Sequence, residues 1–268
     1  MRYACVLNGA KSFNAFLDLV CEAEAARWDA FFLPDGLAIK NFELFDPWVM
    51  MGAIAARTTR IRFGAMITPV SRRRPWKLAK ECVTVDHLSS GRLIFAAGLG
   101  ACPDDDGFST VGEAVDIKVR AERLDEGLEI IDGLWKGEEY SFSGKHFKVD
   151  KMSMIPGPLQ KPRIPIWVVG VWEKPKSLRR ALAWDGLILQ RFKDHRPFSP
   201  DDIRKIAEYA AENRPAGKGP IEIVSGGSTG GKKSKRASEI VKPFGEAGAT
   251  WWVEFEPTLD RIRQGPPV

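Results

Sequence analysis

Residues 60–100 read R-I-R-F-G-A-M-I-T-P-V-S-R-R-R-P-W-K-L-A-K-E-C-V-T-V-D-H-L-S-S-G-R-L-I-F-A-A-G-L-G. Ile61 to Ile67 is an apolar run short enough for a buried strand, and Thr68-Pro69 ends it. Pro75 to Leu88 carries its apolar residues at helical spacing until Ser89-Ser90-Gly91 stops it. Leu93 to Gly100 is a second buried run that closes on glycines. Strand, helix and strand in this length are what a parallel crossover needs.

The same rhythm runs in both directions from this unit. Upstream, short apolar runs at Tyr3–Leu7 and Asp29–Leu33 alternate with helical patterns at Ser12–Trp28 and Leu44–Arg57. Downstream, Asp116 to Lys136 is the longest helix, with Ile117, Ala121, Leu124, Leu128, Ile131 and Trp135 forming one buried stripe. A small hairpin follows around Ser143-Gly144, then a proline-rich stretch from Met154 to Pro165. Four further strands are expected at Ile166–Gly170, Gly186–Gln190, Ile221–Val224 and Thr250–Phe255, with helices at Pro175–Trp184, Asp201–Asn213 and Ser234–Gly245 between them. Most of these strands are apolar on both faces and must be covered on both sides. Eight βα units point to an α/β fold, a (β/α)8 TIM barrel forming a single domain over residues 1–268. An open doubly wound sheet is the alternative.

Composition narrows the function classes. The chain has 268 residues, 44% hydrophobic and 28% charged, which supports a full core rather than disorder. A net charge of +5 with scattered basic residues argues against nucleic acid and suits a small anionic ligand. Cys5, Cys21, Cys82 and Cys102 show no CxxC spacing and no zinc cluster, so no metal site is expected and the thiols read as reduced. No signal peptide and no apolar stretch of membrane-spanning length is evident, which makes the cytoplasm the expected location.

In a barrel, chemistry lives at the carboxyl ends of the strands. Those ends carry Asn8 and Gly9, Asp35, Met66 to Thr68, Gly98 to Gly100, Gly170 to Trp172, Gln190 and Arg191, Ser225 to Gly227, and Glu254 to Glu256. Acid–base groups are scarce among them, which points to a cofactor that does the chemistry. His87 reads as structural, His146 as a surface residue, and His195 as a solvated or substrate-contacting loop residue. Residues 226–233, G-G-S-T-G-G-K-K, come close to a phosphate-binding P-loop, but Lys233 stands where Ser or Thr should hold magnesium. Arg72-Arg73-Arg74 reads as a solvated face, with an anion contact at the barrel mouth as the alternative. Trp76, Trp172, Trp251 and Trp252 read as packing residues, with Trp172 placed to line a pocket.

An ordered set of motifs spans nearly the whole chain: A-A-R-T-T-R-I-R-F-G (55–64), T-P-V-S-R-R-R-P-W-K-L-A-K-E (68–81), V-D-H-L-S-S-G-R-L (85–93), G-L-G (98–100), R-A-E-R-L-D-E-G-L-E-I-I-D-G-L-W (120–135), F-S-G-K-H-F (142–147), P-G-P-L-Q-K-P-R-I-P-I-W-V-V-G (156–170) and G-A-T-W-W-V-E (248–254). With these the chain resembles the bacterial luciferase-like flavin-dependent monooxygenases, a family that includes the coenzyme F420-dependent reductases and dehydrogenases. The resemblance implies an oxidoreductase that binds reduced FMN or F420 at the carboxyl ends of a TIM barrel, with a shortened insertion region, and activates oxygen or transfers hydride to a small organic substrate. It places Ala65, Met66 and Ile67 behind the flavin ring, with a non-proline cis peptide bond at Met66–Ile67 and Thr68 beside it. It assigns Asp35 to cofactor contact, Gly170 and Val171 to the phosphate, and Gly226 and Gly227 to the cofactor tail. It also implies a homodimer formed through helices beside the early strands. Some F420 dehydrogenases of this family carry a catalytic histidine where this chain has Gly36, which disfavours their acid–base mechanism. That departure keeps a second reading open, a non-catalytic flavin-binding barrel.

Overall fold

The protein is described by a computed structural model that covers residues 1–7, 12–38, 43–100, 107–192, 196–230 and 234–268. Its barrel strands are β1 (Arg2–Val6), β2 (Ala30–Leu33), β3 (Arg62–Ala65), β4 (Thr68–Pro69), β5 (Phe95–Gly98), β8 (Ile166–Val171), β9 (Gly186–Gln190), β10 (Glu222–Gly227) and β11 (Trp251–Phe255). Every pairing among them is parallel, in the order β3-β2-β1-β11-β10-β9-β8-β5-β4. The ring closes between its two ends, where Phe63 bridges Leu93 and the Ile94 N–H donates to the Phe63 carbonyl at 2.9 Å. A separate antiparallel hairpin, β6 (Tyr140–Ser143) with β7 (Lys148–Met152), lies outside the barrel.

The helices are α1 (Phe13–Ala25), α2 (Pro47–Arg57), α3 (Pro75–Leu88), α4 (Ile117–Leu134), α5 (Pro175–Leu182), α6 (Pro200–Asn213), α7 (Ser234–Glu246) and α8 (Leu259–Arg263). Their starts follow from local chemistry. Ser12, Asp46, Asp116, Ser199 and Thr258 each cap a helix with a side-chain oxygen, and Ser199 with Asp202 forms a full capping box. Proline occupies the first turn of α2, α3, α5 and α6, where its missing N–H costs nothing.

Alternation along the strands separates two cores. Ala4, Phe32, Ala96, Trp167, Trp251 and Val253 point into the barrel, while the residues between them pack under the helices. Trp167 and Trp251, at the amino ends of their strands, meet with ring centroids 5.1 Å apart and plug the floor. At the open end, the third stave of the barrel is broken. Leu33 of β2 pairs with Ala65 of β3, and Thr68 of β4 pairs with Ala97 of β5. The expected single strand to Ile67 therefore ends at Ala65 and resumes beside a different neighbour. Between the two pieces lies the cis peptide bond Met66–Ile67, at the position implied by the family resemblance.

Candidate active site at the barrel mouth

A cleft of about 810 Å³ opens over the carboxyl ends of β3, β9, β10 and β11. Its walls are apolar where they reach into the barrel, through Met66, Ile188, Val224, Val253 and Phe255. Its rim is polar and basic, through Gln190, Arg191 and Arg196. Arg191 is held in place by Asp202 at 2.6 Å, and its guanidinium carbon stands 4.4 Å from the centroid of the Phe198 ring.

Glycine opens this wall. A Cβ on Gly226 would stand 2.6 Å from the Phe255 ring and 2.7 Å from the Val253 carbonyl. Only glycine lets β10 lie this close to the end of β11. The turn beyond is fixed from below by Glu254, which is fully buried on the helix side of β11. Its carboxylate accepts from the Thr229 N–H at 2.5 Å, the Thr229 hydroxyl at 2.8 Å and the Trp252 indole at 2.9 Å. Glu254 is therefore a brace for the β10 turn rather than a group facing the cleft.

The nine residues expected at the site divide into three groups. Met66, Gly226 and Gly227 line the cleft together. Ile67 and Thr68 stand at the break next to it; the Ile67 side chain covers Gly98, and the Thr68 hydroxyl is buried without a hydrogen-bond partner. Ala65, Asp35, Gly170 and Val171 are not among the cleft walls. Ala65 packs into the outer core. A Cβ on Gly170 would stand 2.2 Å from the Leu187 side chain of β9 and 3.3 Å from Ala181 and Leu178 of α5. The Val171 N–H donates to the Ser177 hydroxyl at 3.0 Å.

Asp35 has an occupation of its own. Both of its carboxylate oxygens accept from Arg73 Nη2, at 2.7 and 2.8 Å, and Oδ1 also accepts from Arg72 Nη2 at 2.6 Å. The Asp35 and Arg72 side chains are 1% and 4% exposed, so this is a buried ion pair. The reading of Arg72-Arg73-Arg74 as a solvated face is thus corrected for its first two members. The partner that draws them inward stands in β2's loop, too far away in sequence for local patterning to reveal.

Other side chains sort readily. His87 Nε2 lies 2.9 Å from the Gly157 carbonyl, a structural contact as expected. His146 is no free surface residue: its ring is 13% exposed and sits 2.8 Å from Glu122. Lys145 and His146 together pull the Glu122 carboxyl down to about 2. Burial pushes the Cys5 and Cys82 thiols well above their ordinary values, which makes them poor nucleophiles. Trp172 packs edge-on against Tyr209 at 5.9 Å rather than lining the cleft. Among the described residues no three metal-ligating side chains converge. No helix among them is long and apolar enough to cross a membrane. Asn8, Gly9, Cys102, His195 and Lys233 lie outside the described residues.

The barrel and its mouth can now be set beside known proteins. Residues 4–245 match the family model for luciferase-like monooxygenases. The chain belongs to that family. An uncharacterized protein from Mycobacterium tuberculosis (strain ATCC 25618 / H37Rv) is 29% identical, covering 94% of this chain and 92% of its own. An F420-dependent secondary alcohol dehydrogenase solved with an F420-acetone adduct superposes with a TM-score of 0.79 at 18% identity, covering 99% of this chain and 98% of its own. The oxygenating constituent of 3,6-diketocamphane monooxygenase from Pseudomonas putida, solved with FMN, gives 0.70 at 20% identity over 92% of this chain and 72% of its own. At these identities the two structures establish the luciferase-like TIM-barrel fold.

Proposed function

We propose that this luciferase-like protein is an oxidoreductase that holds reduced FMN or coenzyme F420 in the mouth cleft, for oxygen activation or hydride transfer to a small organic substrate. One observation carries this reading: Met66, between β3 and β4, lines the same cleft as Gly226 and Gly227. The donor set suits such a group. Apolar walls accept a flat ring, and Arg191 and Arg196 at the rim suit an anionic end. When bound, either cofactor supplies the hydride or the electrons for oxygen.

The chain's own residues do the rest. Met66, Ile188, Val224 and Val253 would hold the ring and keep water from it. The brace from Asp202 keeps the Arg191 guanidinium oriented across the rim. No carboxylate, imidazole or amine stands among the described residues of the cleft wall. That same scarcity favours, as a second reading, a barrel that binds the reduced flavin without turning over a substrate. As partners we infer a small-molecule substrate and a second copy of the chain, in the cytoplasm.

An absorbance spectrum and mass analysis of whatever co-purifies with the protein identify the cofactor. Consumption of the reduced form is then followed with candidate acceptors, with and without oxygen. Acceptor-dependent consumption supports the enzyme. Tight binding with no consumption under any condition supports the sequestering barrel.

A further inference from the structure

The amino end of the barrel, opposite the mouth, carries a second cleft of about 810 Å³. The segment leading into β8 forms one wall, with Gln160, Lys161 and Arg163. Arg62 at the start of β3, Asp185 just before β9 and Glu222 at the start of β10 form the other. The Trp167 ring that plugs the barrel floor is part of the lining, so the two clefts lie on opposite sides of that plug. We propose that this amino-end cleft binds a small organic oxyanion, a phosphate or carboxylate carried on an apolar body.

The carboxylates of the cleft are already engaged. Glu222 pairs with Arg2, and Asp185 accepts from Arg163 Nη2 and from the Ile166 N–H, each at 2.9 Å. Asp86, buried behind Gln160, accepts from the Leu159 N–H at 2.7 Å, the Gln160 N–H at 3.1 Å and the Gln160 side-chain amide at 2.8 Å. The donors are the opposite case. Arg62 Nη2 donates to Gln160 Oε1 at 3.1 Å, and no carboxylate among the described residues stands within ion-pair distance of that guanidinium. Lys161 is exposed, and among the described residues its ammonium has neither an ion pair nor a hydrogen bond. Every residue lining this cleft is among those described.

The Arg62 fork is held in place. The Gln160 amide that receives it donates through Nε2 to Asp86 Oδ1 and to the Leu93 carbonyl, each at 2.8 Å, which turns Oε1 toward Arg62. Burial first, and the nearby Arg2 guanidinium second, lower the Arg62 pKa, with Glu222 and Asp86 opposing. An oxyanion seated against Arg62 offsets both unfavourable effects. A guanidinium fixed on one side presents its remaining N–H groups as a fork that a carboxylate or phosphate matches. Pro162, Pro165 and Pro220 line the rest with ring carbon, which suits an apolar body. The site also spans the seam of the barrel. Arg62 precedes Phe63, which bridges Leu93, and Gln160 bonds the Leu93 carbonyl. An anion shared by Arg62 and Lys161 therefore ties β3 to the segment before β8 across the ring closure, and its binding stabilises the fold.

Calorimetric titration with phenyl phosphate at low salt, with no cofactor added, tests the site. Saturable binding with a dissociation constant of about a millimolar or tighter is expected, together with a denaturation midpoint that rises with ligand concentration. Arg62→Gln and Lys161→Glu should each weaken binding by about tenfold or more, while Arg191→Gln at the mouth rim should leave it within about twofold. Lys161 is exposed and unbonded, so its variant keeps the fold and reads the site even where Arg62→Gln unfolds. No binding to the wild type, affinity unchanged in Lys161→Glu, or binding lost in Arg191→Gln overturns the proposal. Inorganic phosphate that binds as tightly as phenyl phosphate would overturn the apolar body. Benzoate titrated in parallel decides between the two head groups. A wild type that binds phenyl phosphate but neither flavin cofactor would defeat the proposed function and leave this site standing.

Discussion

Asp35 pairs with two guanidinium groups, Arg72 and Arg73, and its own side chain is only 1% exposed. Removing one partner of a buried pair leaves an uncompensated charge, which typically costs about 3–5 kcal/mol. Asp35→Ala should therefore lower the free energy of unfolding in urea by about that amount, and a loss near the ~0–1 kcal/mol of a surface pair would show that Arg72 and Arg73 turn to solvent instead. The cluster also illustrates what sequence can and cannot tell. The acidic position at the end of β2 and the arginine run after β4 are both visible in the chain as candidate residues. Their contact, across 37 and 38 positions, is not. The family resemblance assigns Asp35 to a cofactor; the structure shows its oxygens occupied by arginine. Gly170, expected at the phosphate, stands at the end of β8, where an added Cβ would meet Leu187 and approach Ala181 and Leu178 of α5.

At the level of single elements, legibility follows how local the determining signals are. Helix α3 is expected at Pro75–Leu88 and found there, because a first-turn proline and a Ser-Ser-Gly stop define it from within. The third stave depends on its neighbours, and its change of partner at Met66–Ile67 leaves no periodic trace. Gly64 sits just before that break, where a Cβ would press on the Ile94 carbonyl and the Phe32 ring. Gly64→Ala should therefore force β3 away from the ring closure and destabilise the barrel by about 1–3 kcal/mol, read as a lowered denaturation midpoint with an unchanged slope. The β6–β7 hairpin offers a pH test. Glu122 has its carboxyl lowered to about 2 by Lys145 first and His146 second, so its contribution is present above the ordinary carboxylate range. As pH falls below about 4.5 towards 2, that contribution is lost. Wild type should lose stability across this window more steeply than Glu122→Gln. Salt should shrink the difference, because the pair is exposed. Parallel curves for the two proteins would remove Glu122 from the hairpin's support.

For the molecule as a whole, the eight-stave barrel follows from alternating buried strands and helices, and every expected stave is present. The mouth cleft is less legible. Met66, Gly226 and Gly227 can be named from strand ends and family resemblance, whereas Ile188, Val253 and Phe255 join them only through closure of the ring. Filling the cleft should abolish ligand binding without unfolding the barrel. Val224→Trp, placed on the inner wall, should weaken cofactor affinity at least tenfold, about 1.4 kcal/mol. The most direct measurement is an equilibrium titration of the purified protein with reduced FMN and with F420, run beside that variant. Micromolar binding of one cofactor to the wild type, lost in Val224→Trp, is the expected result. Failure of both cofactors to bind at micromolar concentration, or binding that Val224→Trp leaves intact, would contradict a flavin site at the barrel mouth.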